Sequence, residues 1–420
     1  MNITSLGETR IPSPISHTVS DQARIPAVIV RDPAAPKRDE VLFELAGPRA
    51  KLFFDPAKTR AGIVTCGGLC PGLNNVIRAL FLELHHTYGV AEVLGFRGGY
   101  QGLDPARGPE PMVITPAFVD QIHQHGGTIL GTSRGPVDMA AAVDNLIRRD
   151  VNILFTIGGD GTQRGGNDLF QQSKRRGHAL SVVGIPKTVD NDVAFVARTF
   201  GYFTAVEEAV KVLDCAHTEA RSVHNGLGLV KLMGRHAGFI AAGATVANQD
   251  VNFTLIPEVP FKLDGPKGFL SALKERLKKR AHAVIAVAEG AGQELFEDAL
   301  THRDPSGNIK LKDIGLLLRE RIEAHFKEAG IPIVMRYFDP SYLIRSSPAN
   351  AADAVLCDLY ARNAVHAAMA GKTGLVIGYL HDAFIHIPIE MLVLEKKQIN
   401  PDGFWWKAVL ATTGQPARFE

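Results

Sequence analysis

The chain has 420 residues, 45% of them hydrophobic and 21% charged, with a formal net charge of +2. This length is typical of two domains or one large α/β body with a sizeable core. The near-neutral charge argues against a protein that binds nucleic acid or a membrane surface, so an anionic ligand must be bound by local groups. Four cysteines do not make a disulfide framework in a chain this long, and no apolar targeting segment opens it, so we expect a cytoplasmic protein.

Residues 1–55 are rich in Pro, Asp and Arg and weakly periodic, which predicts an N-terminal extension that lies over the body or mediates assembly. After it, strands alternate with helices. The predicted strands lie in AGIVTCGG, VNILFTI, LSVVGI, LGLVKL, AVIAVA, IPIVM and GLVIG, the last two as buried strands. This alternation predicts an α/β fold with mostly parallel sheets and sites at the carboxyl ends of the strands. We place two lobes at 56–200 and 201–390, between which the chain can cross, and a C-terminal segment at 391–420.

Glycine loops follow several of these strands. TCGGLCPGLNN precedes a helix whose first N–H groups can bind phosphate, although no Walker P-loop sequence is present. In GGDGT, the glycines beside Asp160 allow a polyphosphate to approach the backbone, and the carboxylate can hold Mg²⁺ against it. The alternative for this loop is a strand-to-helix turn with a solvated aspartate.

The stretch GIPKTVDNDV at residues 184–193 carries the groups that phosphoryl transfer needs at its acceptor. One carboxylate can take the proton of an attacking hydroxyl, while a lysine and a threonine hold the moving phosphoryl group. The alternative is an acidic helix N-cap, for which Asp-Asn-Asp is well suited.

Arginines in glycine, serine or proline contexts provide a third element, because such loop arginines suit bidentate phosphate binding. They are Arg134, Arg235, Arg336 and Arg345. A lone loop arginine is more often a surface ion pair, but together with GGDGT and DND these four favour a phosphate site.

In this order, the motifs resemble those of the phosphofructokinase family over roughly residues 60 to 390. They are TCGGLCPGLNNVIR, GGTILGTSRG, GGDGTQRGG, GIPKTVDND, GLVKLMGRHAGFIA and AVAEGAGQ. The resemblance is greatest to the long ATP-dependent forms, which are related to pyrophosphate-dependent enzymes. It implies two doubly wound lobes with the active site in the cleft between them, residues 56–200 binding the phosphate donor and residues 201–390 the sugar phosphate.

The resemblance also implies residue roles. The donor and its Mg²⁺, the latter through Asp160, would be bound by Gly67, Arg134, Gly135, Gly159, Asp160, Gly161 and Thr162. Fructose 6-phosphate would be bound by Thr188, Val189, Asp190, Met233, Gly234, Arg235, Glu289, Arg336, Tyr342 and Arg345. Asp190 would be the base for the C1 hydroxyl, assisted by Lys187, Arg134, Thr188 and Asp192.

Two positions bear on the donor. In the family, pyrophosphate users generally have aspartate at the position of Gly161 and lysine at that of Lys187, whereas short ATP users have glycine at both. The pair in this chain is mixed. An aspartate at 161 would repel the α-phosphate by about 4 kcal/mol at ~4 Å and an effective dielectric of ~20, so glycine favours ATP. The alternative is a pyrophosphate-dependent fructose 6-phosphate 1-phosphotransferase.

Two departures affect the sugar-phosphate site. Tyr342 stands where shorter bacterial enzymes have histidine, and Gly226 aligns with their phosphate-binding arginine from a neighbouring subunit. The resemblance implies a homo-oligomer, a dimer or tetramer, without fixing which. Of the other classes, a lipid or NAD kinase is disfavoured by PKTVDND and MGR, and a non-catalytic binding subunit by the presence of both Asp160 and Asp190.

Overall fold

Helices and strands alternate along the computed structural model, which describes residues 2–30, 40–296, 309–392 and 396–420. The strands are β1 Thr4–Ser5, β2 Ile11–Pro12, β3 Arg24–Pro26, β4 Leu42–Leu45, β5 Lys51–Leu52, β6 Arg60–Thr65, β7 Glu92–Phe96, β8 Met112–Val113, β9 Ile153–Gly158, β10 Ser181–Pro186, β11 Gly226–Leu232, β12 Phe253–Leu255, β13 His282–Ala288, β14 Val334–Phe338, β15 Lys372–Thr373, β16 Leu375–Leu380 and β17 Ala383–Pro388. The α/β class with mostly parallel sheets is confirmed.

The helices pack on these strands through apolar faces. They are α1 Leu73–Leu82, α2 Pro116–Val119, α3 Met139–Arg148, α4 Asp160–Arg175, α5 Tyr202–Arg221, α6 Phe239–Asn248, α7 Phe269–Arg280, α8 Ile314–Glu328, α9 Ser341–Ser346, α10 Ala351–Met369, α11 Ile389–Leu392 and α12 Phe404–Thr413. In α1 the buried side chains recur every three or four residues, as in an amphipathic helix. Across the described ranges, no helix is both long and apolar enough to span a membrane.

Two units divide the chain. The first comprises residues 1–188, 193–201 and 346–396, and the second comprises 189–192, 202–345 and 397–420. The lobes at 56–200 and 201–390, between which the chain can cross, remain a prediction. In the structure the chain leaves the first unit near residue 200 and returns to it at residues 346–396. The reason is strand pairing: β16, near the end of the chain, pairs in parallel with β10 at Val183 and Gly184.

The first unit contains a nine-stranded sheet in the order β3-β4-β17-β16-β10-β9-β6-β7-β8. Its centre, β16-β10-β9-β6-β7, is parallel, and its edges are antiparallel. Two N-terminal strands are part of this sheet, because β4 pairs with β17 and β3 pairs with β4. They therefore extend the sheet of the first unit at its edge.

The second unit contains a four-stranded parallel sheet in the order β12-β13-β11-β14. Its core packs α7 and α8 on one face of the sheet through apolar side chains such as Phe269 and Phe326. The strand predicted at IPIVM begins later, at Val334, and it is an edge strand with exposed positions, so its prediction as a buried strand is wrong. An edge strand has only one neighbour, and alternating polar residues along it remain in water.

Candidate active site

The loops after β6, β9 and β10 lie at one edge of the sheet in the first unit. These strands are parallel neighbours, with Thr65 opposite Ile157 and Pro186 opposite Gly158, so their carboxyl ends coincide. The peptide N–H of Lys187 donates to the carbonyl of Gly158 at 3.0 Å. The sheet therefore brings together the glycine loop at 67–68, the start of α4 and Lys187, as the alternation of strands and helices predicts.

GGDGT forms the junction between β9 and α4. Gly159 is the N-cap, and Asp160 is already the first helical residue, so Gly161 lies in the first turn of a 16-residue helix. A Cβ built at the exposed Gly161 would meet only the terminal nitrogen of Arg164, at 3.9 Å. The unpaired N–H groups of a first helical turn form a ready anion site, and Gly161 leaves that site open.

Thr162 faces the protein interior. Its side chain is buried, lies against Gly158, and its carbonyl accepts a hydrogen bond from the hydroxyl of Tyr100 at 2.5 Å. Burial raises the pKa of the nearby Cys66 thiol to about 12. Thr162 therefore holds the helix start against the sheet through its side chain.

Asp160 forms an ion pair with Lys396, a residue that sequence reasoning did not single out. Both side chains are about one-third exposed, at 31% and 32% for Lys396 and Asp160. In the part of the chain that the structure describes, no three His, Cys, Asp or Glu side chains converge as metal ligands. A lone carboxylate beside a phosphate site suits Mg²⁺, which usually binds one or two carboxylates together with substrate phosphates and water.

Lys187 and the segment that carries Arg134 are both tied to the glycine loop after β6. The buried ammonium of Lys187 donates to the carbonyl of Gly68 at 2.6 Å. Thr132 donates to the carbonyl of Gly67 at 2.6 Å, which fixes the segment two residues before Arg134. Arg134 itself is exposed, and neighbouring Gly135 adopts a φ of +117° that favours glycine. Lys187 therefore lies at the Gly67 loop, and the segment that leads to Arg134 is anchored to the same loop.

The DND stretch is an irregular loop, and the N-cap alternative is wrong for it. The next helix, α5, begins only at Tyr202, and residues 191–192 lie in no helix. Asn191 adopts a left-handed φ of +55°, which asparagine tolerates better than most residues. Thr188 belongs to the first unit and accepts a hydrogen bond from the hydroxyl of Thr199 at 2.6 Å, whereas residues 189–192, beginning with the buried Val189, belong to the second.

In the second unit, Asp190 lies beside the loop that follows β11. Its Oδ2 accepts a hydrogen bond from the peptide N–H of Arg235 at 3.3 Å. Met233 and Gly234 precede Arg235 in that loop, and the φ of +131° at Gly234 makes the turn possible. The structure thus brings Asp190 to the MGR loop.

Glu289 follows the adjacent strand β13 and faces a group of cations. Burial raises the pKa of Glu289, and the positive charges of Arg235, Lys231 and Arg345 oppose that rise. The guanidinium of Arg345 lies 4.9 Å from the ring centroid of Tyr342, and Tyr342 itself is 77% exposed. Asp190, Arg235, Glu289 and Arg345 therefore belong to one charged region at the carboxyl edge of the small sheet.

Arg336 differs from the other predicted sugar-phosphate residues. It lies within the edge strand β14, opposite Gly228, and its Nε pairs with Glu219 of α5 at 3.3 Å. Gly226, at the opposite end of β11 from the MGR loop, has no room for a side chain, since a Cβ there would lie 2.1 Å from the carbonyl oxygen of Ala220. Close packing of the α5 C-terminus on β11 thus accounts for the glycine.

Besides Lys396, two further functional candidates were missed by sequence reasoning. Lys231 is buried in β11 and bonds Asp313 at 2.7 Å and Asp339 at 2.9 Å beneath the Glu289 region. Lys397 is half-buried beside the DND loop, where burial lowers its pKa to about 7 and Asp192 opposes the shift. A lysine inside the otherwise apolar LGLVKL was the available signal for Lys231, whereas KKQ is an ordinary polar run.

Comparison with known proteins gives one consistent family. The sequence-family model described as Phosphofructokinase matches residues 60–368. The chain is 46% identical to "ATP-dependent 6-phosphofructokinase" of Borreliella burgdorferi, over 99% of this chain and 96% of that protein. It is 45% identical to the protein of the same name from Amycolatopsis methanolica, over 100% and 95% of the two chains. With the Trypanosoma cruzi "ATP-dependent 6-phosphofructokinase" it shares 46% identity over 89% and 77%.

Solved structures agree in fold. The pyrophosphate-dependent phosphofructokinase from Marinobacter aquaeolei has a TM-score of 0.69 at 20% identity, covering 86% of this chain and 93% of that one. The T-state phosphofructokinase of Pichia pastoris has a TM-score of 0.65 at 23% identity, and the match covers 84% of this chain and only 37% of that longer one. At these identities the likeness shows the fold alone.

Proposed function

The chain belongs to the phosphofructokinase family, and from this premise we propose that it transfers the terminal phosphoryl group of ATP to the C1 hydroxyl of fructose 6-phosphate. The product is fructose 1,6-bisphosphate, in glycolysis. The observation that carries the proposal is identity of about 45% over nearly the whole chain with relatives named ATP-dependent 6-phosphofructokinase.

The donor is ATP. Two solved pyrophosphate-dependent phosphofructokinases resemble this chain in fold at 20% and 18% identity, whereas relatives named ATP-dependent 6-phosphofructokinase are about 45% identical to it. The open first turn of α4 at Gly161 supports the same choice, since it leaves space for the phosphates of a nucleotide and adds no negative charge. Lys187 is compatible with either donor because both present an anionic phosphoryl group.

For the acceptor, we assign the base to Asp190. An ionised carboxylate takes the proton of the attacking hydroxyl, and the Arg235 N–H that donates to Oδ2 orients that carboxylate. Arg134, Lys187 and Thr188 would hold the phosphoryl group by charge and hydrogen bond, while Asp192 supports the loop. Glu289, Arg235 and Arg345 would bind the sugar phosphate, with Met233 and Gly234 shaping the loop.

Mg²⁺ fits the site to which we assign the phosphate donor. Asp160 would hold it together with the nucleotide phosphates, and Lys396, now on Asp160, would give up or share the carboxylate. When bound, the ion neutralises phosphate charge. Asp160, Gly159 and Gly161 themselves present a carboxylate and backbone N–H groups at the start of α4.

The proposal includes a cytoplasmic location and assembly into a dimer or tetramer. Two relatives from Arabidopsis thaliana carry the word chloroplastic in their names, so location varies among similar proteins. Gel filtration with light scattering of the purified chain tests the assembly.

The reaction itself is tested by giving the purified protein fructose 6-phosphate and Mg²⁺ with either ATP or pyrophosphate, and following the bisphosphate through aldolase coupling. We expect turnover with ATP and at least a hundredfold less with pyrophosphate. Turnover only with pyrophosphate would overturn the donor, and turnover with neither would favour a non-catalytic binding subunit.

A further inference from the structure

The C-terminal segment Lys397–Ile399 of the second unit binds the two loops to which the acceptor chemistry is assigned. The peptide N–H of Lys397 donates to the carbonyl of Asp192 at 3.0 Å. The side chain of Gln398 donates to the carbonyl of His236 at 2.9 Å. The N–H of Ile399 donates to the carboxylate of Glu258 at 2.8 Å. Lys397 therefore binds the DND loop, Gln398 binds the MGRHAG loop, and Ile399 binds Glu258.

These hydrogen bonds connect the segment Lys397–Ile399 to Asp190, the assigned base. Glu258 also accepts from the N–H of Gly238 at 3.0 Å, at the start of α6, so Ile399 is fixed to the end of the MGRHAG loop. That loop contains Arg235, whose N–H donates to Asp190. On the other side, Lys397 holds Asp192, which is two residues from Asp190 across the left-handed Asn191. A strained turn of this kind persists only when its surroundings fix it.

The side chain of Lys397, in its protonated form, adds a positive charge to this arrangement. Its ammonium lies 5.1 Å from the ring centroid of Phe239, the first residue of α6, and near the carboxylate of Asp192, which is 5% exposed. A cation over an aromatic face and beside a carboxylate is held in place by both. A buried carboxylate in turn is costly unless a cation or hydrogen bonds lie beside it.

We propose that Lys397 is a positioning residue for phosphoryl transfer: its peptide N–H and its ammonium hold Asp192, and through Asn191 they set the carboxylate of Asp190. This inference rests on the proposed function, in which Asp190 is the base. Lys397 acts through Asp192 and contacts neither substrate. Its loss therefore changes the chemical step more than the binding of either substrate, since a misplacement of about 1 Å can cost roughly a hundredfold in rate.

The test compares Lys397→Met with Lys397→Arg and with the matched control Lys407→Met, which removes an exposed lysine on α12. For Lys397→Met we expect kcat to fall by about tenfold to a hundredfold, with KM for both substrates within roughly threefold. Lys397→Arg should recover most of the rate, because it restores the charge. Lys407→Met should match wild type. A kcat of Lys397→Met within threefold of wild type, or a rise in KM that accounts for the loss, overturns the proposal.

A double-mutant cycle separates positioning from general stability. If Lys397 acts through Asp192, Lys397→Met should lower kcat by less than about threefold in an Asp192→Asn background, because the partner charge is already absent there. An undiminished loss in that background contradicts the proposal.

Hydrogen exchange gives a readout that does not depend on the reaction. In Lys397→Met, peptides covering residues 188–193 should exchange faster than in wild type, while those of α12 should be unchanged; equal exchange in the DND loop overturns the inference. If wild type does not phosphorylate fructose 6-phosphate with ATP, the proposed function fails, and hydrogen exchange still decides whether Lys397 holds the loop.

Discussion

Replacing Gly161 with aspartate should impair the use of ATP without lowering the stability of the folded protein. Gly161 is exposed in the first turn of α4, it is in a helical conformation, and a Cβ there would contact only the flexible end of Arg164. The new carboxylate also lies at a helix N-terminus, where an acid stabilises by about 0.3–1 kcal/mol, and glycine is a poor helix former. We therefore expect the free energy of unfolding of Gly161→Asp to be unchanged or slightly raised.

The expected effect is a lower kcat/KM for ATP. Two like charges at ~4 Å repel by about 4 kcal/mol at an effective dielectric of ~20 and by about 2 kcal/mol at ~40, as solvent screening at an exposed position requires. Since each 1.36 kcal/mol is tenfold in rate, kcat/KM for ATP should fall by roughly thirtyfold to a thousandfold. KM for fructose 6-phosphate should change little.

The assay is steady-state kinetics with ATP varied, run beside thermal unfolding. Asn167→Asp is the control, because it adds the same charge on the same helix, six residues or about 9 Å further along. Asn167→Asp should lower kcat/KM for ATP by less than about threefold. Three results would show that charge at position 161 does not act on ATP: an unchanged kcat/KM for ATP in Gly161→Asp, an equal loss in Asn167→Asp, or a loss that accompanies a fall in unfolding temperature.

Three further predictions concern other residues. Asp190→Ser should lower kcat by about 10²- to 10⁴-fold with KM for the sugar nearly unchanged, and a kcat near wild type removes Asp190 as the base. Arg345→Met should raise KM for fructose 6-phosphate by about tenfold to a hundredfold, as expected for a lost charged hydrogen bond, and an unchanged KM contradicts its assignment. Burial lowers the pKa of His366 from 6.5 to about 4, so the unfolded chain takes up the proton first and stability should fall by about 3 kcal/mol between pH 6.5 and pH 4. Urea denaturation of wild type and His366→Gln across that range checks this, because the variant should lose that part of the slope.

The loops at the carboxyl ends of strands were predictable because their signals are local. A strand followed by glycine and a charged residue marks Asp160 and Arg235 without knowledge of the partner strand, and the strand that ends at Pro186 leads directly to Lys187. Parallel pairing then brings the loops of each unit together. The start of α4 at Asp160 was harder to predict, because the glycines on both sides of it favour a loop on propensity alone.

The remaining features depend on contacts between distant parts of the chain. Residues 346–396 return to the first unit because β16 pairs with β10, almost two hundred residues earlier, and no local pattern encodes that pairing. Lys396 and Lys397 read as a solvated charge run, although one pairs with Asp160 and the other holds Asp192. Likewise, the glycine at 226 is explained by a backbone oxygen of α5 that only the packed helix brings near.

The most direct measurement follows the phosphoryl group itself. The protein is incubated with Mg²⁺, fructose 6-phosphate and ATP labelled in its terminal phosphate, and the labelled product is identified by its position on the sugar. We expect label at C1 of fructose 1,6-bisphosphate in wild type, and at least a hundredfold slower labelling in Asp190→Ser. Label released only as inorganic phosphate, label at another position of the sugar, or equal rates for the two proteins would contradict this expectation.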